Sequence, residues 1–269
     1  MCQRHMAASV VIKLGGGLIT DKSSLKTPRF DVIDSICDEI SRLVFSGNSV
    51  IVVHGAGSFG HLLAKRWSLS EGLKEEISSQ QRQAVQRVRS DMLELSGIVT
   101  KSLNERGVET VTFPPSEWAE NTGASFKGDV SFFGSCPRNV VPVTFGDVVK
   151  VEGEAEFGIL SGDDLMARIS IEIPSVTHSI FLLGDTDGMM DKPPNVEGSK
   201  LIKLWKSGDF VETEHKMEQD VTGGIELKAD RASIISEKVD DVWFINGNNP
   251  KRVSELIRDG TTIGTKIVS

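Results

Sequence analysis

Cysteine is scarce: the 269 residues hold three, Cys2, Cys37 and Cys136. They are odd in number, lie far apart and form no C-x-x-C or Cys/His ligand spacing. That excludes a disulfide framework and a structural zinc site, and it fits a reducing compartment. Long apolar runs are missing too, since none approaches the ~18–20 residues of a membrane span. Residues 1–9 contain no apolar core of a leader before Lys13 intervenes, so neither a signal nor a transit peptide is expected, and the expected location is cytoplasmic. Excess positive charge is absent: 30 Lys+Arg stand against 38 Asp+Glu, a formal net charge of −8. A chain of this sign is not expected to bind nucleic acid or an anionic membrane in bulk. It can still hold a small anion through a local lysine cluster. No repeat of fixed period is visible.

What is present is the ordinary make-up of a globular protein, with 39% hydrophobic and 25% charged residues. Short apolar runs alternate with amphipathic stretches. Val10–Ile12, Val50–Val53, Val108–Phe113, Val140–Phe145, Ser179–Leu183, Val242–Ile245 and Thr265–Val268 read as strands. Residues 31–45, a long stretch from Leu73 to Arg106, Thr222 to Lys238 and Pro250 to Arg258 read as helices, and another helix follows Ser161. Val148–Val151 and Ala155–Leu160 read as a hairpin about Glu152-Gly153. The alternation predicts an α/β fold, a three-layer αβα sandwich with a mostly parallel central sheet. A soft boundary near residue 175 divides residues 1–175 from residues 176–269 on one continuous sheet. Ligands of such sheets sit at the carboxyl ends of the strands.

Three glycine-rich turns follow apolar strands. They are Lys13-Leu14-Gly15-Gly16-Gly17, His54-Gly55-Ala56-Gly57-Ser58-Phe59-Gly60-His61 and Gly184-Asp185-Thr186-Asp187-Gly188. Without a Cβ, backbone N–H groups can converge on an anion, and a following helix turns its positive end to the same charge. Any one of these alone is a tight turn. Three at one sheet edge point to more than one phosphate group. Gly55-x-Gly57-x-x-Gly60 matches the dinucleotide fingerprint in letters, but the acidic residue needed ~20 positions on is replaced by the polar stretch from Glu75 to Gln81. The string Ala56 to Gly60 is one residue from a nucleophile elbow around Ser58, a hydrolase reading that needs a histidine partner such as His178 or His215.

Charged residues single out the same edge. Lys13 interrupts a buried strand, where an ammonium needs an anionic partner. Lys22 follows the first glycine turn, and Lys228 lies one turn into the helix opened by Asp220-Val221-Thr222-Gly223-Gly224. His61 begins the helix after the second turn, whereas His54 ends the strand and has only a backbone carbonyl to satisfy. Ser161-Gly162-Asp163-Asp164 is an N-cap with acids in the first turn. Asp185 and Asp187 are turn formers that can also face Mg²⁺, a ribose or a lysine. Val85, Val88 and Met92 on the long helix are candidates for an apolar pocket and equally for core.

These residues, in this order, resemble the amino acid kinase family over nearly the whole chain, from Lys13-Leu14-Gly15-Gly16 to Asn246-Gly247. The string H-G-x-G-S-F-G-H, with Ile19-Thr20-Asp21-Lys22, Ser161-Gly162-Asp163-Asp164 and Asp220 to Gly224, resembles the isopentenyl phosphate kinase branch. The resemblance implies ATP with Mg²⁺ held by its phosphates, isopentenyl phosphate as the acceptor, and a homodimer. It implies that Lys13 and Lys22 contact the transferring phosphoryl group, with Lys22 stabilising the transition state. Gly55, Ala56, His61 and Gly162 would hold the acceptor phosphate in an acceptor lobe, residues 1–175. Gly15, Gly16, Gly17 and Gly57 would lie against the ATP phosphates. Asp185, Asp187, Gly224 and Lys228 would line the nucleotide site in an ATP lobe, residues 176–269. Asp163 would order the lysines. Gly17 stands where many relatives have Ser, and Ala56 where many have Gly. A fosfomycin-type or other small phosphate or phosphonate kinase, and a nucleotide-binding sensor without turnover, remain as alternatives.

Overall fold

A computed structural model describes residues 7–21, 23–206 and 224–269. Eight strands form one sheet in the order β3-β4-β2-β1-β7-β9-β10-β8. They are β1 (Ser9–Leu14), β2 (Ser49–His54), β3 (Glu109–Thr112), β4 (Val140–Phe145), β7 (His178–Leu183), β8 (Leu204–Lys206), β9 (Asp241–Asn246) and β10 (Thr265–Val268). All neighbours are parallel except β10 against β9, where Thr265 pairs with Phe244 in antiparallel register. Strands from both sides of the expected boundary at 175 share this sheet, because β1 pairs with β2 on one side and with β7 on the other. The expected hairpin forms a second, two-stranded sheet of β5 (Asp147–Lys150) and β6 (Phe157–Leu160).

Period-two alternation assigns each strand residue to a layer. Val10, Ile12 and Leu14 of β1, with Val50 and Val52 of β2 and Phe145 of β4, pack under α2 (Phe30–Phe45), α4 (Ser78–Glu105) and α9 (Lys251–Asp259). Val11, Ile51, Val53, Phe181 and Phe244 point to the other face, under α7 (Gly162–Glu172) and α8 (Gly224–Ser236). Both faces are covered, so the strands are apolar on both sides and the sheet is mostly parallel. The same alternation decides two functional positions. Lys13 shares the parity of Val11 and faces the α7 layer. His54 shares the parity of Val52 and faces the α4 layer.

One expectation needs correction. The helix read from Leu73 begins only at Ser78, and short 3₁₀ turns cover Leu69–Glu71 and Glu75–Ile77. Gln81, wholly buried, holds that entry: its amide donates to Trp67 O and Gly72 O, and its Oε1 accepts from Lys74 N at 2.7 Å. The closing strand runs against the direction of its neighbour β9, the one antiparallel pairing in the mostly parallel sheet. The short helices α1 (Gly16–Ile19), α5 (Pro115–Trp118) and α6 (Ser131–Ser135) had no periodic signal, being under two turns each. The remaining helix, α3 (Gly57–Arg66), follows the second glycine turn directly.

Candidate active site

The carboxyl ends of β1, β2 and β7 open into a cavity of about 510 Å³. Glycines make its floor, and they do so because two turns touch. A Cβ on Gly16 would fall inside contact distance of Gly57 N and stand 2.9 Å from Gly57 Cα. One on Gly55 would stand 2.7 Å from Gly16 N. Gly57 itself has φ of +48°. The hydroxyl of Thr20 stitches the turns together, donating to Gly16 O at 2.8 Å and accepting from Ser58 N at 2.9 Å.

Lys13 reaches the floor from the middle of the sheet. Its Nζ pairs with Asp163 Oδ1, and both residues are buried, at 5% and 1% exposure. Ser161 caps α7 by accepting from Asp163 N at 3.1 Å, which places Asp163 in the first turn. Lys228 from α8 stands 3.8 Å from the other carboxylate oxygen. Burial on its own would raise the Asp163 pKa. The Lys13 and Lys228 charges outweigh it, so the carboxyl is held below its usual range and stays ionised. Asp164 turns away and binds Arg231 Nε at 2.7 Å, fixing α8 against α7 and so Lys228 against the cavity.

His61 and Ala64, three apart in α3, line the cavity on one face of that helix. Val88 of α4, Val148 of β5 and Ile159 of β6 join them. Arg89 donates from Nε to Val148 O at 2.8 Å and locks α4 to the hairpin. Asp147 also lines the wall, and burial pushes its carboxyl up despite the hydrogen bonds from Ser116 and Val148. On the far side of β1 the lining comes from Gly184, Asp185, Thr186, Met190, Ile225 and Lys228. The sheet order β2-β1-β7 therefore sets an apolar compartment on one side of Lys13 and a second compartment at β7 and α8 on the other.

Of the residues singled out from sequence, the cavity collects Lys13, Gly15, Gly16, Gly17, Gly55, Ala56, His61, Gly162, Asp163, Asp185 and Lys228. Gly57 backs the floor, and Gly224 opens α8. Asp187 is not among the lining residues; its carboxylate is bound by Arg252 at 2.6 Å and by Asn246 at 3.1 Å. Val85 and Met92 are buried core, and only Val88 of that trio reaches the cavity. Lys22, Thr222 and Gly223 lie outside the described residues. Arg29 and Asp147 are lining residues that no motif singled out. The hydrolase reading fails on burial. Ser58 is 1% exposed and its Oγ accepts from Thr27 N, so it presents no nucleophile. Among the described residues no group of three or more His, Cys, Asp or Glu side chains is placed to hold a metal ion, and no helix is long and apolar enough to cross a membrane.

His54 has a structural role with a measurable consequence. It stacks on Phe145 with ring centroids 5.0 Å apart, Nδ1 lies 3.2 Å from Gly55 O, and Nε2 is buried with no partner among the described residues. Burial pulls its pKa down to about 4. The unfolded chain, with an ordinary value near 6.5, binds the extra proton between these limits. The contribution to stability is therefore fully present above about pH 6.5 and is lost toward pH 4, with a slope of up to about 1.4 kcal/mol per pH unit. Chemical denaturation across this window should show a steeper slope in wild type than in His54→Gln, where His178, whose pKa burial also lowers, still contributes. Parallel curves would exclude His54 as its source.

The comparisons with known proteins agree with this geometry. Residues 8–246 match the amino acid kinase family. Isopentenyl phosphate kinase of Thermoplasma acidophilum is 33% identical over 96% of this chain and 99% of its own length. That of Methanothermobacter thermautotrophicus is 29% identical over 96% of this chain and 98% of its own. The solved structure of the T. acidophilum enzyme in a product complex superposes with a TM-score of 0.77, covering 97% of this chain and 100% of that one. A glycine floor at the carboxyl edge of a mostly parallel sheet, a lysine and an aspartate paired over it, and a match across nearly the whole chain place this protein in the amino acid kinase family.

Proposed function

We propose that the protein is an ATP-dependent kinase that converts isopentenyl phosphate to isopentenyl diphosphate. The observation that carries this reading is the junction in the cavity. A floor fit for phosphates, held by Lys13, Gly16, Gly55 and Asp163, adjoins an apolar wall of Ala64, Val88, Val148 and Ile159, with His61 on the same helix face as Ala64. A phosphate with a short hydrocarbon tail matches both surfaces. The acceptor occupies the side of β2, α3 and α4, within residues 1–175. ATP occupies the side of β7 and α8, within residues 176–269.

The chemistry asks for neutralisation rather than proton abstraction. A phosphate monoester with a second pKa near 6 is already dianionic at neutral pH. A non-bridging oxygen of the acceptor attacks the γ-phosphorus, the bond from that phosphorus to the β-phosphate oxygen breaks, and ADP leaves with the electron pair. Two unit charges 4 Å apart repel by ~1 kcal/mol in water and ~4 kcal/mol at an effective dielectric near 20, and several such pairs operate here. Lys13 and Lys228 oppose that repulsion, and Asp163 holds both ammonium groups in place. The glycine N–H groups add fixed dipoles, and the N-termini of α3 and α7 supply partial positive charge. The glycine floor, whose two turns touch so closely that a Cβ on Gly16 or Gly55 would clash with the facing backbone, fits a polyphosphate chain. Mg²⁺ carried by that chain, when bound, neutralises charge on the transferring group. Lys22 is assigned to the same group by sequence resemblance. A homodimer and a cytoplasmic location rest on resemblance and on the number and spacing of the cysteines in sequence respectively.

The test is ADP release with Mg-ATP against isopentenyl phosphate, dimethylallyl phosphate, geranyl phosphate, fosfomycin and a blank. Turnover on isopentenyl phosphate well above the blank is expected. Preference for fosfomycin, or no turnover on any prenyl phosphate, would overturn the reading. In the same assay His61→Ala should raise KM for the acceptor and lower kcat together, since the imidazole orients and partly neutralises the acceptor. Kinetics identical to wild type would remove His61 from the site.

A further inference from the structure

An ion pair 65 residues apart in sequence fastens the glycine floor from outside the cavity. Residues 19–21 and 27–29 lie against each other. Asp21 N donates to Thr27 O at 2.9 Å, Arg29 N donates to Ile19 O at 2.8 Å, and Thr20 bridges Pro28. Lys26 and Thr27 grip the second glycine turn twice, through Lys26 N to Ser58 O at 3.2 Å and Thr27 N to Ser58 Oγ at 3.1 Å. Ser58 N in turn donates to Thr20 Oγ1, and Thr20 donates to Gly16 O. Both glycine turns thus hang on one short hydrogen-bonded chain.

Lys26 is the anchor of that chain. Its φ is +52°, in the left-handed region that a residue with a Cβ enters only at a cost. What holds it there is on α4. Lys26 Nζ donates to Asp91 Oδ1 at 3.0 Å and pairs also with Glu94, while its ammonium lies 5.8 Å from the centre of the Phe59 ring. Asp91 is buried, at 4% exposure. Arg87, one turn earlier on α4, shares the Asp91 carboxylate at 3.1 Å. A buried carboxylate is costly to desolvate unless it is paired and hydrogen-bonded, and Lys26 and Arg87 supply those partners. Here the Lys26 pair fixes where Lys26 and Thr27 cross the second glycine turn.

We propose that Lys26 and Asp91 are positioning residues for phosphoryl transfer. The pair clamps Lys26 and the residues after it to α4 and so holds the first and second glycine turns in register without touching either substrate. The proposal rests on the kinase reading above, and it adds a determinant of rate that lies outside the cavity lining.

The experiment compares Lys26→Met, Asp91→Asn, their double variant, Lys26→Arg and Arg87→Ala with wild type. Steady-state kinetics is paired with amide hydrogen exchange. Loss of the clamp should lower kcat by about tenfold to a hundredfold, the range that a misplacement of about 1 Å produces, and should leave KM for both substrates little changed. The double variant should be no slower than the slower single one, because both remove one link. Lys26→Arg should recover most of the rate. Arg87→Ala, which removes an exposed partner on α4 alone, should stay within about twofold of wild type. Exchange should quicken in peptides covering residues 19–29 and the Ser58 turn and remain unchanged in β1 and β7. Wild-type rates in both single variants would overturn the proposal, and so would a loss of rate with faster exchange throughout α4, the mark of general destabilisation. If wild type fails to use isopentenyl phosphate, the acceptor assignment falls, and the confined exchange difference still decides the clamp.

Discussion

Lys13→Met is expected to lower kcat/KM by about 10²–10³-fold, the size of effect seen when one preorganised charge-stabilising group is removed from a closed site. Methionine keeps the length and the apolar stem, so packing against the α7 layer is retained and the charge is isolated as the variable. The change also leaves Asp163 Oδ1 without its ion-pair partner at 1% exposure. Lys228, at 3.8 Å from the other oxygen, compensates only in part. Breaking a buried pair from one side is destabilising by about 3–5 kcal/mol. Asp163→Asn in the same background removes the orphaned charge. The double variant should therefore regain most of the lost thermal stability and none of the lost rate. That split separates the two roles of Lys13, as counter-ion and as neutraliser of the transferring phosphate. A Lys13→Met enzyme within a few-fold of the wild-type rate would remove Lys13 from the chemistry. Recovery of rate in the double variant would make Asp163, not the missing ammonium, the obstacle.

Much of this site was legible in the sequence where chemistry and position coincide in a few adjacent residues. A lysine closing an apolar strand before three glycines needs an anion, and the structure supplies Asp163. Ser161 followed by two acids is a local N-cap pattern, and it forms. The second glycine turn carried His61 to the cavity for the same reason: the turn, the helix start and the side chain lie within eight residues. What sequence did not show depends on long separations or very short elements. Asp187 reads as a free turn acid until Arg252, 65 residues on, takes its carboxylate. Lys26 and Asp91 show no spacing that a helix or strand period would reveal. The reversed direction of β10 is set by how it enters the sheet beside β9, which its four apolar and polar residues do not encode. The three residues of β8 are too few for any period to register. The apolar wall divides the same way. Val88 could be named from the helix stripe of α4, but Ile159 and Val148 reach the cavity through the hairpin's docking on that helix.

The contact between the two glycine turns makes the last prediction, because it distinguishes two reasons for glycine that sequence cannot separate. Gly16 has no positive φ, so alanine there is conformationally permitted. Its Cβ would nevertheless enter the space of Gly57 N and come to 2.9 Å from Gly57 Cα and 3.2 Å from Ala56 N. All three are backbone atoms, and no rotamer change can relieve them. The turns must part, and the N–H groups that converge on phosphate part with them. Gly16→Ala should therefore lower kcat by about a hundredfold, in line with a displacement of about 1 Å at a reacting group. Gly97, in the middle of α4 with nothing within 4 Å of a built Cβ, is the control. Gly97→Ala should leave the rate unchanged and stabilise the fold by about 0.5–1 kcal/mol, the helix-propensity gain. Gly57→Ala combines both penalties, a φ of +48° and a clash with Thr20 and Gly16 O, and should be worse than Gly16→Ala in stability as well as rate. If Gly16→Ala turns over at the wild-type rate, the floor can open without consequence. Close approach of the turns would then be packing and not part of the phosphate cradle. If Gly16→Ala is slow while its melting temperature stays near wild type, the loss belongs to geometry at the reacting phosphates, since the stability of the fold is preserved.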